Sequence, residues 1–151
     1  MKNILMVCLG NICRSPLAEG ILADKIQKSG MSHMVDSAGT SSYHIGEPPD
    51  SRMVHTAQKH GVDISSQRAR QFSTMDFDNF DLIFAMDTSN LNNILNLARD
   101  EGDREKVELL LNAGGDTDNR SVPDPWHGGD EGFETVFRLV DAACEKIADN
   151  L

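Results

Sequence analysis

Apolar positions along the chain follow two different periods, and their alternation is the first guide to its structure. Residues 2–7 hold the unbroken run Ile4-Leu5-Met6-Val7 ahead of a glycine-containing loop, which predicts a short buried strand. Leu17, Ile21, Leu22 and Ile26 then recur at helical spacing until Gly30 stops the helix. Ser15 is a good N-cap for that helix and Pro16 suits its first position. A weaker strand is predicted over 34–38, a loop over 39–49 and a helix over 50–60 that ends at Gly61. Asp81-Leu82-Ile83-Phe84-Ala85-Met86 is the clearest central strand. A helix over 90–99 behind a Thr88/Ser89 cap and a fourth strand over 106–111 follow it. Residues 112–130 are rich in Gly, Asp and Pro and read as a long loop, a length that often carries function. Phe133, Val136, Phe137, Val140, Cys144 and Ile147 mark a C-terminal amphipathic helix.

Strands alternating with helices predict an α/β fold in a single domain over 1–151: a four-stranded parallel sheet with helices on both faces. The loop after the first strand then lies at the C-terminal strand edge, where such sheets bind ligands. A chain of 151 residues is long enough for one real core. No stretch approaches the roughly 20 apolar residues of a membrane span, and the N-terminal run is too short for a secretory signal. The expected setting is the cytoplasm, with no membrane partner. Three cysteines, Cys8, Cys13 and Cys144, do not resemble an extracellular disulfide framework. The net charge of −10 argues against a nucleic-acid partner. It also requires any anion site to work through local donors, and it favours substrates with basic residues near the anion.

The chemistry is concentrated in Cys8-Leu9-Gly10-Asn11-Ile12-Cys13-Arg14-Ser15, with Pro16 following. Backbone N–H groups at a strand-loop-helix turn, helped by the helix dipole, bind a dianion and favour the thiolate of a cysteine beside it. Arg14 supplies a planar bidentate fork that keeps its charge. Gly10 and Asn11 are the residues best able to take left-handed backbone angles in a loop wrapped round an anion. Ser15 either caps the helix or hydrogen-bonds the Cys8 sulfur. The chemistry implied is attack of a thiolate on phosphorus. Cys8 as a mere buried hydrophobe is the bland alternative, weakened by Arg14 at this spacing and Ser15-Pro16 opening a helix. A metal site at Cys8 and Cys13 lacks a second ligand pair, and a nucleotide-binding glycine loop would need a Lys-Ser/Thr end. No metal and no cofactor are expected.

This segment, continued by Ala18-Glu19, resembles the signature of the low-molecular-weight protein tyrosine phosphatases. The likeness extends through Asp36-Ser37-Ala38-Gly39-Thr40, Gly46-Glu47-Pro48-Pro49-Asp50, His60-Gly61, Ala69-Arg70-Gln71, Met86-Asp87, Ser89-Asn90 and Asp124-Pro125, across nearly the whole chain. The resemblance implies hydrolysis of phosphotyrosine and aryl phosphate monoesters, without metal, through a phosphocysteine on Cys8. Asp124, between Pro123 and Pro125, would be the general acid, although Asp-Pro alone is an ordinary turn dipeptide. Leu9, Ile12, Tyr43 and Trp126 would wall the pocket; Tyr43 and Trp126 are the chain's only Tyr and Trp. The implied partners are phosphotyrosine-containing proteins, and the expected state is a monomer or weak dimer.

Cys13 is expected to trap oxidised Cys8, a low-pKa, exposed thiol, as a reversible disulfide, while Cys144 falls on a core stripe. Many relatives carry two tyrosines after the Asp-Pro, where this chain has Trp126 and His127, so regulation by phosphorylation there is not expected. Gln67 stands where many have a histidine supporting the loop, and Ser37 and Asn11 are candidates for that internal network. Three rivals remain. An arsenate reductase needs further cysteines, which 81–112 lacks; a phosphoarginine phosphatase tends to have threonine where Ile12 stands; and a non-catalytic phosphopeptide-binding module would not need Cys8, Arg14, Ser15 and Asp124 together.

Overall fold

The computed structural model describes residues 1–126 and 129–151. Strand β1 (Asn3–Cys8) lies inside the sheet, with β2 (Met34–Gly39) on one side and β3 (Leu82–Ala85) on the other; β4 (Val107–Leu109) completes the order β2-β1-β3-β4. Every pairing is parallel, with Val7 opposite both Ala38 and Ala85. The chain leaves β1 with a neighbour on each side, so a crevice opens at its C-terminal end. Cys8 is the last residue of that strand.

Alternation along β1 splits the core between two faces. Ile4 and Met6 pack with Leu17 and Ile21 of α1 (Arg14–Lys28), Met53 of α2 (Ser51–Lys59), and Phe133 and Val140 of α7 (Gly129–Asp149). Leu5 and Val7 pack with Phe77 of α3 (Met75–Asn79) and Ile94 of α4 (Thr88–Leu97). Each such aliphatic or aromatic side chain, fully buried, contributes about 1.5–3 kcal/mol. The helices thus cover both faces, as the periodicity predicts. Among the described residues no helix is long and apolar enough to cross a membrane.

Several local expectations are corrected. Ser15 does not cap α1; the N-cap is Cys13, which makes no side-chain cap bond. Asp87, not Thr88 or Ser89, caps α4 by accepting the Asn90 N–H at 2.7 Å. The fourth strand stops at Leu109, and 110–111 belong to α6 (Leu110–Ala113), whose Leu110 and Leu111 turn into the core. Helices α3 and α5 (Glu101–Glu105) carry no apolar period because each is a five-residue turn. Apart from Phe77 of α3, which is buried in the core, polar side chains hold them. Arg99 bridges Asp78 of α3 to Asp103 of α5, and Arg70 pairs with the buried Asp76. Helix α7 begins at Gly129, ahead of its first core residue, which shortens the predicted loop.

Candidate active site

Beyond Cys8 the chain turns back under itself before α1 begins. The turn is tied to the strand beside it, since Thr40 N–H donates to Cys8 O and Ser41 N–H to Leu9 O, both at 2.9 Å. Gly39 permits this approach: a Cβ there would stand 2.7 Å from the Leu9 carbonyl. Asn11 adopts φ of 58°, the left-handed conformation expected of it. Gly10 does not adopt a positive φ, which corrects the other half of that expectation. Its lack of a side chain serves contact instead, because a Cβ would come within 2.9 Å of the His44 ring.

Asn11 is the hub of a buried network. Its Nδ2 donates to Ser15 Oγ and Ser37 Oγ, each at 2.9 Å, and its Oδ1 accepts the Arg70 N–H at 3.0 Å. The Asn11 N–H donates to Cys8 Sγ at 3.3 Å, and Ser15 Oγ lies 3.0 Å from the same sulfur. With the Asn11 amide donating to its oxygen, the Ser15 hydroxyl proton is available to a thiolate. Ser37 in turn donates to Glu19 Oε1 at 2.7 Å. Burial raises the Glu19 pKa to about 7, against the lowering effect of the Ser37 hydrogen bond. Gln67 Nε2 donates to Pro16 O, in the first turn of α1, at 3.0 Å, rather than to the loop itself.

Arg14 is buried, and its Nη1 donates to Asp87 Oδ2 at 2.8 Å and Val122 O at 3.0 Å. Burial opposes its charge, but Cys8 and the Asp87 hydrogen bond more than offset that and raise its pKa. Nε and Nη2 have no partner among the described residues, so the edge that binds an oxyanion bidentately is unoccupied by protein.

A cavity of about 230 Å³ brings the predicted residues together: Cys8, Leu9, Gly10, Ile12, Cys13, Arg14, Tyr43, Asp124 and Trp126 all border it. Asn11 and Ser15 lie behind it in the network. Cys8 is not the exposed thiol expected, being only 3% accessible, yet it borders the cavity. Tyr43 and Trp126, 80% and 47% accessible, stand at the rim. Asp124 Oδ1 accepts the Trp126 N–H at 3.0 Å, so this carboxylate is held by its own turn. All three cysteines are unpaired and buried. Burial first, then Cys8, Asp50 and Asp124, push the Cys13 thiol strongly up, and burial pushes Cys144 up to about 12. His127 lies outside the described residues. Among the described residues no three His, Cys, Asp or Glu side chains are grouped to hold a metal ion.

The sequence reading did not assign Ser41 and His44 to the wall, Asp87 and Val122 to Arg14, or Glu19 and Arg70 to the network. The resemblance had included Ala18-Glu19, Ala69-Arg70 and Met86-Asp87, a signal that marked the positions without their roles.

Comparison with known proteins agrees with this geometry. Residues 3–151 match the family model described as low molecular weight phosphotyrosine protein phosphatase. The protein of that name from Schizosaccharomyces pombe is 44% identical over 93% of this chain and 92% of its own length. A crystal structure of a protein tyrosine phosphatase from Entamoeba histolytica, with Hepes in the active site, superposes with a TM-score of 0.91 at 37% identity, covering 97% of this chain and 94% of that one. A crystal structure described as a Drosophila arginine phosphatase superposes with a TM-score of 0.90 at 34% identity, covering 99% and 97% of the two chains. With one fold, one loop and matches spanning almost its full length, this chain belongs to the low molecular weight phosphotyrosine protein phosphatase family, a family of hydrolases.

Proposed function

We propose that the protein hydrolyses phosphotyrosine monoesters in proteins, with Cys8 as nucleophile, Arg14 and the amides of residues 9–15 as phosphate ligands, and Asp124 as general acid. The observation that carries this reading is one cavity bordered by Cys8, Arg14 and Asp124 together. In the first step the Cys8 thiolate attacks phosphorus, the bond from phosphorus to the tyrosine oxygen breaks, and Asp124 gives that oxygen its proton. In the second, the Asp124 carboxylate takes a proton from water as the water attacks the phosphocysteine. The sulfur–phosphorus bond breaks, and the departing thiolate is stabilised by the Ser15 hydroxyl and the Asn11 N–H. Arg14 and the loop amides hold the equatorial oxygens throughout and contribute most of the transition-state stabilisation.

Leu9, Ile12, Tyr43 and Trp126 line a depth that suits a flat aryl ester better than a short alkyl one. The domain over 1–151 would act in the cytoplasm as a monomer or weak dimer on proteins with basic residues near the phosphate. Oxidation is read as reversible. Peroxide converts the Cys8 thiolate to a sulfenic acid, and the Cys13 thiol condenses with it, releasing water and forming a disulfide that a dithiol reduces. Peroxide-inactivated enzyme is expected to regain activity in dithiothreitol, and Cys13→Ser to lose that recovery.

Two substitutions test the mechanism. Cys8→Ser removes turnover of phosphotyrosine while phosphate still binds. Asp124→Asn lowers kcat/KM for a phosphotyrosine peptide by about 100-fold, but hardly alters that for 2,4-dinitrophenyl phosphate, whose leaving group needs no proton. Equal losses on both esters would remove Asp124 from the acid role. A phosphoarginine peptide assayed beside them, and turned over faster than phosphotyrosine, would shift the substrate to that of the Drosophila relative.

A further inference from the structure

The loop bearing Asp124 is anchored on both sides of the acid. On one side Val122 N–H donates to Met86 O at 2.7 Å, and Val122 O accepts from Arg14. On the other side the contact is made by a residue with no place in the chemistry above. Arg52, in the first turn of α2, donates from Nη1 to Trp126 O at 3.3 Å. Its guanidinium carbon lies 5.0 Å from the Trp126 ring centroid and 4.7 Å from that of Phe133. Trp126 therefore holds Asp124 with its N–H while its carbonyl and ring are held by Arg52.

Arg52 is itself fixed to the other half of the site. Asp50 grips its Nε at 3.2 Å and Nη2 at 3.0 Å, and caps α2 by accepting the Arg52 N–H at 2.8 Å. The Asp50 N–H donates to the carbonyl of Ile12, in the phosphate loop, at 2.6 Å. A local capping pair accounts for Nε and Nη2 of the guanidinium. It does not account for Nη1, which reaches Trp126, 74 positions along the chain, or for the two aromatic faces of Trp126 and Phe133.

We propose that Arg52 is the positioning residue of the general acid, clamping the turn at Trp126 to α2 and, through Asp50, to the phosphate loop. Arg52 is not among the residues that border the cavity of Cys8 and Asp124. It fixes where Asp124 stands relative to Cys8, and it rests on the reading of Asp124 as the acid. Its effect belongs to the step in which a proton is delivered.

The test uses Arg52→Gln in the full chain, with and without Asp124→Asn. Arg52→Gln is expected to lower kcat/KM for a phosphotyrosine peptide about tenfold, from misplacement of the acid. For 2,4-dinitrophenyl phosphate the change stays within about twofold, as does the inhibition constant of inorganic phosphate. Added to Asp124→Asn, it produces no further loss. Trp126 is the only tryptophan, so acrylamide quenching of intrinsic fluorescence reads the clamp directly and rises in Arg52→Gln. Equal losses on both esters, a full further loss on top of Asp124→Asn, or unchanged quenching would each overturn the proposal. Should Arg52→Gln not fold, Arg52→Lys, which keeps the charge without the planar fork, is read by the same substrate ratio and the same quenching. Failure of the acid reading is distinguishable, because Asp124→Asn alone would then slow both esters alike, whereas quenching reports on the clamp whatever Asp124 does.

Discussion

Between Cys8 and Ser15 the side chains of Cys8, Asn11, Arg14 and Ser15 are bonded to one another or to neighbouring elements, whereas the segment from Gly115 to Trp126 brings Asp124 and Trp126 to the cavity and is held to the loop through the main chain of Val122. Asn11 alone spends its amide on Ser15, Ser37 and Arg70, and it does so in a left-handed conformation. Asp124 has a single described partner, the N–H of Trp126 in its own turn. Cys8, the proposed nucleophile, ends the buried strand β1 just ahead of α1, so its position follows from two elements packed into the core. Asp124, the proposed acid, sits on irregular chain whose Val122 and Trp126 are held by Met86, Arg14 and Arg52 from other elements. A nucleophile must meet phosphorus in line in both steps, while an acid must give a proton and later take one from water, which is consistent with less tightly held surroundings.

This contrast is sharpened by substitutions that act on one half only. Arg14→Lys, on the phosphate loop, is expected to lower kcat/KM on the order of 100-fold through loss of the bidentate fork. It should do so equally for phosphotyrosine and for 2,4-dinitrophenyl phosphate, because both place the same phosphoryl group in the loop. A loss confined to phosphotyrosine would break the distinction between the halves.

Asn11→Ala comes next. It removes the side chain behind three hydrogen bonds and leaves alanine at φ of 58°. It should reduce kcat/KM on both esters by about tenfold and stability by about 1–3 kcal/mol, measured by urea unfolding. Normal stability with normal activity would show that the network is dispensable.

The smallest effect is expected at the outer end of the network. Burial raises the Glu19 pKa from its ordinary 4.5 to about 7, so the folded state holds that proton more tightly than the unfolded state. The stability contributed by this group is fully present below about pH 4.5 and is lost as pH rises through 7. Glu19→Gln keeps an acceptor for Ser37 and removes the titration. The melting temperature of the variant should therefore gain on that of the native protein by about 2–4 °C between pH 5 and pH 8. A constant difference across that range would show that Glu19 is not the titrating group.

Much of this was legible in the order of residues. The unbroken apolar run of β1 and the helical spacing of Leu17, Ile21, Leu22 and Ile26 are local signals, strong enough to place a turn and Cys8 at a sheet edge. Arg14 and Asp124 were named from spacing and resemblance, and both border the cavity. The short helices α3 and α5 were not legible, because a five-residue turn has no period to read and is held by Arg70 and Arg99 across the fold. Ser15 was offered two roles by sequence, and burial against Cys8 and Asn11 selected the one at the sulfur.

What the chain determined by itself is the half that carries Cys8: a strand, a turn and a helix in succession, whose hydrophobic periods and backbone preferences act over a few residues. What only the tertiary structure decided is where Asp124 stands, since Asp124, Arg52 and Arg14 are far apart in sequence and converge only when the sheet and its covering helices are packed. Short-range patterning specifies elements, but a hydrogen bond such as the one from Arg52 to Trp126 exists only after distant segments have been brought together.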